Sequence, residues 1–283
     1  GLQPGSAERA AAVAAVLTRL GLDPVLAIPV TVADGPGGEG PAAAARTARY
    51  RALDEAASQT AAAAVLLAHT RDDQAETVLL GLARGSGTRS LAGMPPRRGR
   101  YRRPLLAASR ATLRAACAAL GLEPWEDPQN ADPAYTRARV RHQALPALEA
   151  ALGPGVTEAL ARTAGQLRAD AEVLDERAGA EAQRRAEPGG SWPAAQVARL
   201  PAAIRHRVLR AAALGAGCPP GALGSRHIAA LETLVTRWQG QRWADLPGGV
   251  RAQRRYGKLL FTAGPHRAGP PELQDAEGIG GRE

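Results

Sequence analysis

The sequence predicts an α/β domain built on a doubly wound parallel sheet, followed by a mainly helical second domain with a small C-terminal hairpin. Three observations predict this. Up to about residue 110, helical patterns alternate with short apolar runs, the order that puts helices on the faces of a parallel sheet. Beyond Arg110 the patterns are helical alone. Near the end, strand-like runs flank Pro247-Gly248-Gly249, a turn-forming tripeptide. A chain of 283 residues has room for two modest domains. The boundary is expected at Gly153-Pro154-Gly155, dividing residues 1–153 from 154–263.

Ser6 opens the first helix and Gly21 stops it, with Ala10, Val13, Leu17 and Leu20 at helical spacing. Residues 24–32, PVLAIPVTV, read as a short strand, irregular or at an edge because Pro29 lacks an N–H. Residues 34–40, DGPGGEG, form a flexible loop, and Pro41 starts a long helix through Ala57. Residues 64–68, AVLLA, fit a buried parallel strand. His69 ends it, and Asp72 or Asp73 begins the next helix, so these polar groups lie where ligands bind in such sheets. Further helices are expected at 111–120, 135–152, 155–185, 202–213 and 227–238. The hairpin strands fall at 242–250 and 254–262, and residues 264–283 form a disordered tail rich in Gly, Pro and charge.

Alanine dominates the apolar residues and aromatics are only 3%, so the helices must pack on small side chains. The net charge of +9 is carried by arginine, Lys258 being the single lysine. The guanidinium fork suits phosphate, which favours a polyanionic partner. A genome biased toward arginine, alanine, glycine and proline accounts for the same excess, so charge alone does not name that partner. Cys117 and Cys218 lack Cys-x-x-Cys spacing, and no zinc site or disulfide framework is visible in the sequence. Cys117 reads as a small core residue. No signal pattern or membrane-length apolar run is present, and the expected setting is the cytoplasm, away from membranes.

Asp73 and Glu76 share one face of a helix in its first turn, near the positive end of its dipole. Two carboxylates there can bind an ammonium group or hold a magnesium ion, and His69 can face the same pocket. Each piece also has a purely local explanation. Asp-x-x-Glu is close to a capping box, and Gly85 can be a helix C-cap.

The combination of motifs is more specific. His69–Gly87, HTRDDQAETVLLGLARGSG, is followed by Leu91-Ala92-Gly93-Met94-Pro95-Pro96, Arg103-Pro104-Leu105-Leu106 and Trp125-Glu126-Asp127-Pro128-Gln129-Asn130. Then come residues 135–142, YTRARVRH, and Leu145-Pro146. In this order the chain resembles the tRNA(Ile)-lysidine synthetases of the PP-loop ATP pyrophosphatase superfamily. Residues 1–6 (GLQPGS), 45–50 (ARTARY), 246–249 (LPGG) and 255–257 (RYG) fit the same family.

The resemblance implies an ATP-dependent ligase that activates C2 of the wobble cytidine in a CAU-anticodon isoleucine tRNA. Lysine's side-chain amine then displaces AMP to form lysidine. ATP, free lysine and this tRNA are the implied partners, with Mg2+ as the family's cofactor and no metal site expected in this chain. By motif, Asp73 and Glu76 hold lysine and His69 stands near the reacting centre. Arg49 assists adenylation, and Arg141 assists lysine transfer, with Arg137 and Arg139 as alternatives for that role. The chain has Arg137-Ala138 where the family has Arg-Asn.

The family's Ser-Gly-Gly-x-Asp-Ser ATP loop does not occur in the sequence, and neither Gly37-Gly38 nor Ser86-Gly87 replaces it. The expectation is an N-terminally truncated fragment without the first strand and ATP loop, inactive alone and with an exposed sheet edge. RNA-facing phosphate contacts are expected from Arg97, Arg98, Arg100, Arg102 and Arg103, from Arg137 and Arg139, and from Arg205, His206, Arg207 and Arg210. Arg242, Arg251, Arg254 and Arg255 flank the hairpin and join them. Trp125 and Tyr135 can stack on bases, but burial in a small core is the expected role of both. Two other functions fit part of the pattern: a thiolating PP-loop enzyme, for which the cysteines are not arranged, and a non-catalytic tRNA-binding remnant.

Overall fold

Alanine-rich segments with periodic leucines and valines form helices, and the strands are few and short. The computed structural model describes residues 5–32, 41–85, 87–187 and 189–263. The loop expected at 34–40, the tail at 264–283 and most of the opening GLQPGS motif lie outside them. The chain forms two compact units, Gly1–Thr77 with Met94–Ala161, and Val78–Gly93 with Arg162–Glu283.

The first unit begins with α1 (Ser6–Arg19) and α2 (Pro41–Gln59). Between them, residues 24–32 form no strand, contrary to expectation. Pro24 and Pro29 remove two ladder donors, and Leu26, Ile28 and Val30 stay 41–49% exposed. β1 (Val65–Leu66) leads into α3 (Arg71–Ala83), whose residues from Val78 on belong to the second unit, as does the short α4 (Thr88–Leu91). β2 (Arg97–Arg98) and β3 (Tyr101–Arg102) make a hairpin that the arginine run concealed. Its signal was Gly99, which takes φ 56° in the turn, a conformation that favours glycine. The sheet order is β1-β3-β2, with β1 parallel to β3 and Leu66 exposed at the edge.

α5 (Arg110–Ala119) is capped by the Ser109 side chain. The single helix expected over 135–152 is instead α6 (Thr136–Arg139), a π-helical turn over Val140–Ala144, and α7 (Leu145–Leu152). Pro146 at the start of α7 has no N–H for the preceding turn, which favours a local change of ladder. Trp125 and Tyr135 are 44% and 42% exposed, so neither is a core residue. Trp125 is covered by the Arg9 guanidinium, 4.3 Å from its ring centroid. Cys117 is half-buried rather than in the core, whereas Cys218 is buried.

α8 (Val156–Arg185) leads into the second unit, which continues with β4 (Trp192–Pro193), α9 (Ala194–Ala198), α10 (Ala202–Gly215) and α11 (Ser225–Thr236). β5 (Ala244–Leu246), β6 (Val250–Arg255) and β7 (Lys258–Ala263) follow. The expected hairpin is thus part of a four-stranded antiparallel sheet, ordered β4-β7-β6-β5. The core joins Leu209, Leu231, Leu234 and Leu259 with Val197 and Val208. Gly248 is required in the β5–β6 turn. It has φ 77°, and an added Cβ would lie 2.7 Å from Cδ of Pro219.

Candidate active site

The β1 backbone continues through Leu67, whose N–H donates to the Arg102 carbonyl at 2.8 Å, and delivers His69 just beyond the strand. Thr70 then caps α3. Its N–H and hydroxyl donate to Asp73 Oδ2 at 2.8 and 2.9 Å, and Asp73 N–H donates back to the Thr70 hydroxyl. The capping box is therefore Thr70 with Asp73, not the Asp73–Glu76 spacing. Asp72 Oδ2 accepts from the Arg110 N–H at 2.7 Å, which fixes the start of α5 against α3. Buried Gln74 donates to and accepts from the Met94 backbone and ties the Gly93-Met94-Pro95 segment to the same helix.

Glu76 is fully buried on the next turn of α3. Its Oε1 accepts from Arg110 Nη2 at 3.1 Å and from Arg141 Nε at 2.7 Å. Its Oε2 accepts from Arg137 Nε at 2.7 Å and Arg141 Nη2 at 3.2 Å. Asp73 Oδ1 accepts from Arg110 Nη2 at 3.1 Å and Arg141 Nη2 at 3.4 Å. Asp73 and Glu76 thus face three guanidinium groups, with Asp72 close enough to act on Arg141. Burial pushes both the Asp73 and Glu76 carboxyls up. The Thr70 hydrogen bonds with Arg110 and Arg137 overcome this at Asp73, and Arg141 and Arg137 overcome it at Glu76, so both stay below their ordinary values. A carboxyl lowered by folding adds stability above its unfolded pKa and loses it as pH falls through the folded one. The urea midpoint is therefore expected to hold from about pH 7 to 5 and drop below about pH 4. A midpoint unchanged down to about pH 3 would count against this balance.

His69 is half-buried, and its Nδ1 has no hydrogen-bond partner among the described residues. Burial lowers its pKa, reinforced by Arg103 and Arg137 and opposed by Asp73, so the imidazole is neutral near pH 7. A cleft of about 940 Å³ is lined by Arg46, Tyr50, Asp54, Arg98, Tyr101 and Arg103, among others. The Tyr50 and Tyr101 rings meet edge-to-face at 5.0 Å. Tyr101 donates its hydroxyl proton to Asp54 Oδ1 at 2.8 Å; burial and that carboxylate push its pKa up to about 12.

The PP-loop domain family matches residues 1–148, and the TilS substrate binding domain family matches residues 192–260. A protein of Thermobifida fusca named tRNA(Ile)-lysidine synthase is 58% identical over 263 residues, covering 93% of this chain and 80% of the relative. A Streptomyces coelicolor protein of the same name is 58% identical over 272 residues, covering 93% and 75%. One from Salinispora tropica is 56% identical, covering 92% and 78%. The chain belongs to the tRNA(Ile)-lysidine synthase family. Members are ligases that form a carbon–nitrogen bond, and the α/β unit with its PP-loop match followed by helices and C-terminal strands agrees with that membership.

The family resemblance singled out His69, Asp73, Glu76, Arg137 and Arg141, and the structure brings these together. It does not bring Arg49 to them. Arg49 lies in a groove with Leu26, Ile28 and Val30, while Arg46 and Tyr50 on the same helix line the cleft and Arg46 acts on His69. Arg110 was missed because no local motif marks it; only the fold carries it to Glu76. Arg46, Tyr50 and Asp54 had a signal, their i, i+4, i+8 spacing on α2.

Several arginines expected to face RNA have internal partners. Arg103 is buried and donates from Nη1 to the Pro95 carbonyl at 2.8 Å. Arg205 is held by Glu232 and the Ala198 and Leu200 carbonyls, and Arg207 by Asp175 at 2.8 Å. The structure thus turns all three mainly toward internal partners, although Arg103 Nε and Arg207 Nη2 are buried with no hydrogen-bond partner among the described residues. Arg102 is half-buried and donates to Tyr101 O at 3.0 Å. Arg97 and Arg98 are exposed on β2. Arg139 is exposed, with donors on Pro133 O and Ala134 O.

Each oxygen of Asp73 and Glu76 already accepts from Thr70 or a guanidinium group. Among the described residues no group of three His, Cys, Asp or Glu side chains is placed to hold a metal. No described helix is long and apolar enough to cross a membrane.

Proposed function

We propose that this chain provides the lysine-transfer and RNA-holding part of lysidine formation on isoleucine tRNA with a CAU anticodon. The observation that carries the reading is the meeting of His69 with the Asp73–Glu76 pair and the Arg110, Arg137 and Arg141 guanidinium groups. In the reaction, the oxygen at C2 of the wobble cytidine bonds to the α-phosphorus of ATP, the bond to the β-phosphate breaks, and pyrophosphate leaves, giving an adenylate. The lysine ε-nitrogen bonds to C2, the C2–O bond to AMP breaks, and the nitrogen gives up a proton. Neutral His69 suits the acceptance of that proton. Cationic Arg137 and Arg141 suit the charge that develops on the leaving phosphate.

Asp73 and Glu76 supply the negative charge for a lysine amino group. One guanidinium must yield its place when lysine arrives. Arg137, with 41% of its side chain exposed against 19% for Arg141, is the one freest to turn toward a phosphate. The cleft whose lining includes Arg46 and Arg103, both of which act on His69, has the volume of a nucleotide site and two tyrosines for a base. The ATP loop is not among the groups these 283 residues supply.

The test is a chimera that places the loop-bearing segment of the Thermobifida fusca relative ahead of Gly1. With ATP, radiolabelled lysine and CAU-anticodon tRNA, the chimera should attach lysine to the tRNA, and the 283-residue chain alone should not. Lysidine made by the chain alone would refute its dependence on the loop. A folded chimera that binds the tRNA without transferring lysine would refute the assignment of this site.

A further inference from the structure

Strand β6 has two unlike faces. Val250 and Ala252 are buried on the side that packs against α11, so Arg251, Gln253 and Arg255 stand on the other. Register sets Arg251 opposite Asp245 on β5, and Arg255 opposite Lys258 on β7. Trp243, two residues before Asp245, shares this outer face and is 42% exposed. The Arg251 guanidinium lies 4.2 Å from the Trp243 ring centroid, and its Nε donates to Asp245 at 2.9 Å, which fixes the pair. Arg255 is exposed and has no ion-pair partner among the described residues.

The neighbouring pair is built differently. Arg254 donates to the Leu234 and Val235 carbonyls at the end of α11 while lying 5.3 Å from the Trp238 ring, and Trp238 donates to the Gln241 carbonyl. That pair closes a helix end, whereas Trp243 and Arg255 close nothing. In a chain with 3% aromatic residues, a tryptophan left outside the core gives up burial that it would otherwise supply, and with Arg251 paired to Asp245 and Lys258 to Glu187, Arg255 is the cation near it whose charge is not offset by an ion pair among the described residues.

We propose that the outer face of the β4-β7-β6-β5 sheet is a platform for an unpaired stretch of the tRNA. Trp243 stacks on a base, and Arg255 engages a flanking phosphate. The Arg255 charge, not offset by an ion pair among the described residues, suits a phosphate, and the indole selects a strand with an accessible base over a closed duplex. The inference rests on the tRNA reading above.

The test measures binding of the full chain to CAU-anticodon tRNA across a salt series, with Trp243→Ala, Trp243→Phe and Arg255→Ala. Trp243→Ala should weaken binding roughly tenfold without changing the salt slope. Trp243→Phe should keep most of the affinity but lose part of the tryptophan quenching seen on binding. Arg255→Ala should reduce the slope by about one. If the unaltered chain binds in a salt-sensitive way and both Trp243 variants match it in affinity and quenching, the platform is refuted and the tRNA reading stands. If the unaltered chain does not bind the tRNA, both fall. Should Trp243→Ala misfold, the quenching of Trp243→Phe decides.

Discussion

Replacing Glu76 with glutamine is expected to destabilise the first unit by roughly 3–5 kcal/mol, the range for removing one partner of a buried ion pair. The side chain is 0% exposed and accepts four hydrogen bonds from three arginines. Glutamine keeps the shape but removes the charge, and it places an NH2 where a guanidinium donor already points. Arg141 suffers most, being the least exposed of the three. Native domains have only about 5–15 kcal/mol in reserve, so the loss should be visible as early unfolding in urea followed by circular dichroism. A loss under about 1 kcal/mol would mean that Asp72 and Asp73 suffice to hold the arginines.

The second large effect is on the chemistry. Arg141→Lys in the loop-bearing chimera is expected to slow lysine transfer by roughly a hundredfold or more. Arg141 reaches both oxygens of Glu76 from its Nε and Nη2 and also approaches Asp73. A lysine ammonium is a single point charge and cannot span that fork. Arg137→Lys should have a smaller effect, because Arg137 is 41% exposed and its charge-assisted bond to Glu76 is from Nε alone. Arg139→Lys should change little, as its donors lie on nearby carbonyls and Thr136. Single-turnover transfer rates on adenylated tRNA would rank the three. A ranking led by Arg139 would overturn the assignment.

The sequence made the helical order legible because alanine-rich periodicity is a local property. It also marked His69, Asp73 and Glu76, which lie within one strand end and two helical turns. What it could not mark was Arg110, which reaches Glu76 across 34 residues through the placing of α5. It likewise left the arginines of 97–103 looking alike. Only strand pairing separates exposed Arg97 and Arg98 from Arg103, whose side chain enters the interior. The strand expected at 24–32 failed for a related reason. Alternating apolar residues specify a strand only when a neighbour accepts its hydrogen bonds. Arg49 and Arg46 differ by less than one helical turn, and motif matching alone does not tell which groove each enters.

The Glu76 cluster also decides which denaturant tells the truth about this protein. The carboxylate is gripped by three guanidinium groups drawn from segments 34, 61 and 65 residues away in the chain. Guanidinium chloride delivers the same cation at molar concentration, a soluble mimic that competes for the same oxygens and screens the pairing. Urea, being uncharged, does neither. A stability measured in guanidinium chloride would therefore mix unfolding with ligand exchange at one carboxylate. Buffers containing free arginine, often added to keep proteins in solution, would begin that exchange before any denaturant is present.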